Sequence, residues 1–248
     1  MTPDLQCFDG VCGIVYVCYG EQYCRVGAVS AQSAHEQTGL PIHIITNLAD
    51  YHRFDWPADA TFCYRDEPDT ENREVRTRLD EFTPFDRTLH TDADVYYADP
   101  DTRLPLGWLE HWDMVVVLYR TLRTGVWKSP QWAAIAGKLG TADFGSVCGG
   151  VLYFRKSAAV HEMFRWWNRY WRGDGKARDM PGLFRALWRS RVRFFPLPGE
   201  DVWIGVHEGH FRHSAGRQQV PELPRIRKLK PNGLDKDGRR TKWEPVGD

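Results

Sequence analysis

The stretch from Val11 to Thr46 constrains the fold more than any other part of the chain. Val11–Tyr19 (VCGIVYVCY) is a short run of β-branched and aromatic residues closed by Gly20, the pattern of a strand buried on both faces. From Tyr23 to Gln37, apolar and small residues recur at Val26, Val29, Ala31 and Ala34, and Gly39-Leu40-Pro41 follows, so a helix with a Gly/Pro stop is expected there. Ile42–Thr46 (IHIIT) reads as a second strand. Strand, helix and strand within about 35 residues make a βαβ unit, which requires a parallel pair and leaves a nucleotide-sized crevice at the carboxyl ends of the strands.

Beyond this unit, Ala60–Tyr64 is expected to be a third strand, and Arg65–Arg78 a charged loop passing into a helix. Phe85–His90 leads into Thr91-Asp92-Ala93-Asp94. Met114–Tyr119 and Val147–Arg155 (VCGGVLYFR) are apolar strands, Ala158–Trp171 is a Trp-rich helix, Met180–Ser190 is a second helix, and Val192–Leu197 is extended. From about Pro221 the chain is rich in Pro, Lys and Arg without apolar periodicity. The expected organisation is one domain over residues 1–220 followed by a basic tail, 221–248. A chain of 248 residues fits a single core.

With 42% hydrophobic and 27% charged residues, the composition excludes a disordered chain. Runs such as Met114–Tyr119 fall well short of the roughly 18 apolar residues that span a bilayer, so no membrane span is expected. The first ten residues carry Asp4 and Asp9 and lack the basic and apolar regions of a secretory leader, which makes the cytoplasm the expected location. Six cysteines (Cys7, Cys12, Cys18, Cys24, Cys63, Cys148) form no C-x-x-C pair, which removes zinc-ribbon and thioredoxin readings.

The formal net charge of zero is a cancellation. Residues 1–118 hold 8 basic against 21 acidic side chains, and residues 119–248 hold 25 against 12. Such asymmetry suggests separate tasks for the two halves, with an anionic partner on the basic side. There, Arg165, Arg169, Arg172, Arg185, Arg189, Arg191 and Arg193 interleave with Trp166, Trp167, Tyr170, Trp171, Phe184, Trp188 and Phe194. Two amphipathic helices with buried rings and solvated arginines account for most of these residues. Cations beside stacking rings also suit a nucleic acid or another polyanion.

The sharpest motif is Asp92-Ala93-Asp94. Two carboxylates at a strand end present hard oxygen ligands in one small volume, suited to a divalent cation that also holds phosphate oxygens. An EF-hand is excluded, because its glycine would be Tyr97 and its closing glutamate Arg103. The second acidic pair, Asp99-Pro100-Asp101, is expected to be turn chemistry.

The βαβ unit, then PFDRTLHTDADVYYADP, then GGVLYFRKS opening a helix, then a late His-x-x-Gly-basic element together resemble the GT-A fold of nucleotide-sugar-dependent glycosyltransferases, glycogenin and the bacterial lipopolysaccharide galactosyltransferases among them. The resemblance covers about residues 11–217 and implies an α/β, Rossmann-like fold. Its mixed, mainly parallel sheet would be flanked by helices in a single domain.

It further implies an enzyme that moves a hexose from a nucleotide diphosphate sugar, UDP-linked, to an acceptor hydroxyl, with retained anomeric configuration. Asp92, Asp94 and His213 would hold Mn²⁺ or Mg²⁺. Thr91, Ala93, Gly216 and Arg217 would line the donor, with Arg217 meeting phosphate. Cys18, Tyr19 and Tyr23 would receive base and ribose. Of Arg76 and Arg78, both at a basic position near the donor, Arg78 is retained. Gly149 and Gly150 would floor the transferred sugar, and Asp179 would contact its hydroxyls, with Met180 standing where relatives carry Gln. Glu200 and Asp201 are further candidates for the acceptor side.

The basic half suggests an anionic acceptor, such as a modified nucleic acid. Two other readings stand beside this one: a nucleic-acid-binding protein without catalysis on a nucleotide-binding fold, and a nucleotidyltransferase.

Overall fold

The computed structural model describes residues 11–68, 72–119, 130–139, 146–176 and 178–199, with two short strands at Ile204–Gly205 and Phe211–His213. The chain divides into units Met1–Ser214 and Ala215–Asp248, and every described residue belongs to the first.

The opening βαβ unit forms as its residues dictate. Strand β1 (Cys12–Cys18) sends Ile14, Tyr16 and Cys18 into the core on one face of the sheet and Val15 into the core on the other, which is why alternation is absent from its sequence. Helix α1 (Gly20–Thr38) begins three residues earlier than its periodicity predicts. Gly20, at φ 77°, lets the chain turn directly out of β1, and its N–H donates to Asn47 Oδ1 at 2.8 Å. The small residues of α1 allow close approach to the sheet: a Cβ at Gly27 would lie 2.5 Å from Cys18 Sγ. Gly39 ends the helix at φ 64°. Strand β2 (Ile42–Thr46) then runs parallel to β1, with Ile14 opposite Ile42 and Cys18 opposite Thr46.

Strand β3 (Thr61–Tyr64) extends the sheet outward, and two short helices follow, α2 (Asn72–Arg76) and α3 (Leu79–Phe82). The chain then returns to β1's other side as β4 (Arg87–Thr91). Further on come β5 (Val95–Tyr97), α4 (Leu104–Trp108), β6 (Met114–Tyr119), α5 (Pro130–Leu139), β7 (Ser146–Arg155), α6 (Ala158–Gly173), α7 (Met180–Arg189) and β8 (Phe194–Pro198). The seven-stranded order is β3-β2-β1-β4-β7-β6-β8, and β7 runs against the other six. A smaller sheet pairs β5 with β10 (Phe211–His213), which in turn pairs β9 (Ile204–Gly205).

Helix α1 covers one face of the large sheet, and α6 with α7 the other. Ser157 caps α6, accepting from the Val160 N–H at 3.2 Å, and the buried stripe Val160, Met163, Phe164, Trp167, Trp171 has helical spacing. At Gly182 an added Cβ would meet Trp167 at 3.3 Å, so α7 packs tightly on α6.

Helix α5 and the three-residue β5 and β10 are absent from the sequence reading. Helix α5 buries only Trp132 and Ile135, and three residues are too few to show a period. The turn expected at Asp99-Pro100-Asp101 is present, with Asp99 Oδ1 accepting from the Asp101 N–H at 2.9 Å.

Candidate functional site

From β1 the chain first moves outward to β2 and β3, then crosses to β4 on the other side. The carboxyl ends of β1 and β4 therefore flank a topological switch point, where open α/β sheets bind ligands. Asp92 follows β4 directly. Its N–H donates to the Gly150 carbonyl at 2.9 Å, and its carbonyl accepts from the Val95 N–H at 3.1 Å, so the carboxylate leaves the strand through a tight turn.

Four chain segments converge here. Arg76, at the end of α2, is largely buried. Its Nη1 bonds Asp92 Oδ1, and its Nη2 lies 2.5 Å from Oδ2 of Asp179, the residue preceding α7. Burial pulls the guanidinium pKa down, but Asp179 and Asp92 outweigh it and hold the group above its ordinary value. Gly150 lies under Asp92, where a Cβ would fall 2.6 Å from Oδ2, so glycine is what lets the carboxylate sit there. A Cβ on the neighbouring Gly149 would meet Met180 at 3.6 Å. Asp94 is partly exposed two residues beyond Asp92.

His90 belongs to the same site, although the motif reading passed over it. The signal was present, because positions 90 and 92 project to one face of a strand. The side chain is 1% exposed. Its Nδ1–H donates to the Val15 carbonyl at 3.0 Å, which leaves the Nε2 lone pair 3.8 Å from Asp92 Oδ1. Burial, the largest influence, brings its pKa to about 4. The unfolded chain therefore binds a proton near pH 6.5 that the folded chain refuses until about pH 4. Stability falls as pH drops through that interval, by on the order of 3 kcal/mol in total. Urea unfolding at pH 7 and pH 4.5 checks this: wild type should lose about 2–3 kcal/mol more than a His90→Gln variant over the same span.

The other expected contacts are distributed as follows. Tyr19 is a core aromatic, 1% exposed, and its hydroxyl donates to Glu67 Oε2 at 2.8 Å, which closes its ring to a stacked base. The reason is the abrupt turn at Gly20, which tucks Tyr19 beneath the loop after β3. Tyr23, on the first turn of α1, is 49% exposed. Cys18 is buried, and its carbonyl accepts from the Cys24 thiol. Thr91 and Ala93 are buried, Thr91 Oγ1 lying 3.3 Å from the Tyr97 hydroxyl. Arg78 does not face the carboxylates; it pairs with Glu81 through Nε at 3.1 Å and lies over Phe82. With Arg65, Glu67, Glu74, Val75, Phe82 and Lys176 it lines a cavity of about 280 Å³ on the flank of the site.

The donor set fits a divalent cation in part. Asp92 Oδ1 is engaged by Arg76, and the carboxylate oxygens of Asp92 and Asp94 are hard ligands of the kind such a cation takes. Among the described residues, no group of three or more His, Cys, Asp and Glu side chains is arranged around a cation position. The β10 backbone does bring His213 opposite Val95, next to Asp94. The His213 side chain, Gly216, Arg217, Glu200 and Asp201 lie outside the described residues. No helix among the described residues is long and apolar enough to cross a membrane.

No protein-family model and no curated protein matches the chain. Solved structures do. The galactosyltransferase LgtC, in complex with donor and acceptor sugar analogues, aligns over 74% of this chain and 72% of its own at 17% identity and a TM-score of 0.50. Mouse xyloside xylosyltransferase 1, in its apo form, aligns over 85% of this chain and all of its own at 11% identity and a TM-score of 0.56. The likeness is one of fold, and the mixed seven-stranded sheet with flanking helices is the GT-A arrangement.

Proposed function

We propose that this protein is a metal-dependent glycosyltransferase that moves a hexose from a UDP-linked donor to an acceptor hydroxyl with retained configuration. The observation that carries the reading is the convergence of Asp92, Arg76 and Asp179 beside Asp94 at the switch point of a GT-A sheet. The fold neighbours, a galactosyltransferase and a xylosyltransferase, support sugar transfer as the chemistry.

Asp92 and Asp94, with His213 across the β5–β10 pair, would hold Mn²⁺ or Mg²⁺; a mixed oxygen and imidazole set suits Mn²⁺ better. Bound there, the cation supplies positive charge against the diphosphate that leaves. Arg76 holds two carboxylates in a fixed relation, so neither needs to reorganise when donor arrives. Asp179 would accept hydrogen bonds from donor-sugar hydroxyls, and Gly150 would serve the site through Asp92, whose carboxylate occupies the space a Cβ would fill. Tyr23 and the backbone at Cys18–Gly20 face the base and ribose.

A thermal-shift series with UDP-hexoses, with Mn²⁺ or with EDTA, tests this. Expected is a metal-dependent rise of about 5–10 °C at a hundredfold excess over Kd, together with UDP release on incubation. Release of pyrophosphate from a nucleoside triphosphate supplied with a sugar phosphate, without UDP release from UDP-hexose, would instead identify a nucleotidyltransferase, and the absence of any nucleotide effect would identify a binding protein.

A further inference from the structure

Helices α6 and α7 present an outward face that the proposed chemistry does not use. Arg165, Arg169 and Arg172 form an exposed row along α6 at helical spacing. Beside that row, Trp166 and Tyr170 stack on each other at 5.7 Å. Arg189 of α7 lies 5.1 Å over the Trp166 ring, as does Arg169, and Arg185 lies 4.5 Å over Tyr170. Beyond this second arginine row stands Trp188, 72% exposed, the most exposed large apolar side chain among the described residues. The surface thus alternates rows of cations and aromatics.

Its charge is poorly compensated. Glu162 accepts from Trp166 Nε1 at 3.4 Å, Asp174 pairs with Arg185, and Arg172 pairs with Glu74. Arg165, Arg169, Arg189 and Arg191 have no acidic partner within 4 Å among the described residues. Guanidinium groups without an acidic partner beside an exposed indole give this face a charge that an anionic surface would complement.

We propose that the α6–α7 face docks this protein on an anionic phospholipid surface. Two features favour lipid over nucleic acid. A strand-binding platform offers free ring faces to successive bases, whereas here guanidinium groups already lie over Trp166 and Tyr170, and Trp188 alone is open. Arginine and Trp side chains side by side, with apolar bodies and polar ends, match the headgroup layer, where aromatic rings settle and cations meet lipid phosphates. Trp188 lies about 14 Å along α7 from Asp179, so docking would hold the candidate site close to the surface without involving its residues.

Flotation of the full chain with vesicles tests this. Expected is binding to phosphatidylcholine containing about 30% phosphatidylserine, little binding to phosphatidylcholine alone, and weakening with salt. Arg169→Glu with Arg189→Glu should lower partition about 100-fold, and Trp188→Ala about tenfold, with the circular dichroism spectrum and urea midpoint of each variant showing an intact fold. Equal binding to both vesicle types overturns the proposal. So does unchanged binding by the double-arginine variant, which would place the contact elsewhere in the basic half. Salt-dependent binding to a DNA oligonucleotide that the same variant loses, without vesicle binding, also overturns it in favour of a nucleic-acid surface.

Discussion

Arg76→Met is expected to destabilise the fold by about 3–5 kcal/mol and to abolish sugar transfer. Removing one member of a largely buried ion group leaves its partners without compensation, and here two carboxylates, Asp92 and Asp179, would face each other around an apolar side chain. The urea midpoint and the transfer rate measure the two losses separately. Arg76→Lys should recover only part of the stability, since one ammonium cannot reproduce the planar fork that reaches both carboxylates. Adding Asp179→Asn to Arg76→Met removes the second charge and should restore much of the stability while transfer stays absent. That non-additivity is the signature of direct coupling. Simple additivity of the two changes would mean that Arg76 and Asp179 act independently.

Asp94→Ala should separate chemistry from folding in the opposite way. Asp94 is partly exposed at the turn after β4, so its loss should cost less stability than the loss of the largely buried Arg76. If it is a cation ligand, the variant should lose Mn²⁺-dependent UDP binding and at least roughly 10³-fold in transfer, the scale of removing a principal electrostatic stabiliser. Calorimetric titration of UDP with and without Mn²⁺ reads the first loss, and UDP release the second. Full activity of the variant in the presence of EDTA would end the metal mechanism.

These contrasts follow from how differently two neighbouring aspartates are held. Asp92 is bonded through its backbone to Gly150, through its carboxylate to Arg76, and faces the lone pair of His90. It is therefore as much a part of the fold as of the site. The same Asp-x-Asp motif contains one residue whose loss should be felt in stability and one whose loss should be felt in ligand binding.

Much of the scaffold was legible because its signals are local. A strand buried on both faces reads as a short β-branched run, a helix with one apolar stripe reads at 3.6-residue spacing, and Gly39 marks the end of α1 by adopting a left-handed conformation. The Asp-x-Asp pair announced itself at a strand end for the same reason. Helix α5 and the small sheet were illegible, because two buried residues in ten, or three residues in all, carry no period.

What the amino-acid sequence determined by itself is the βαβ start, most of the large sheet's strands and the two amphipathic helices, together with the carboxylates on the turn after β4. Only the tertiary structure decided which groups those carboxylates meet. Arg76 and Arg78 sit two residues apart on one short charged segment, with nothing local to distinguish them; packing turned Arg76 onto Asp92 and Asp179 and Arg78 onto Glu81. Asp179 meets Arg76, and through it Asp92, because α7 follows α6 back across the sheet, and Gly150 reaches Asp92 because the reversed strand β7 pairs with β4. Backbone periodicity is encoded within ten residues or so. A site assembled from positions 76, 92, 150 and 179 depends on strand order and on the closeness of packed layers, and those are properties of the whole chain.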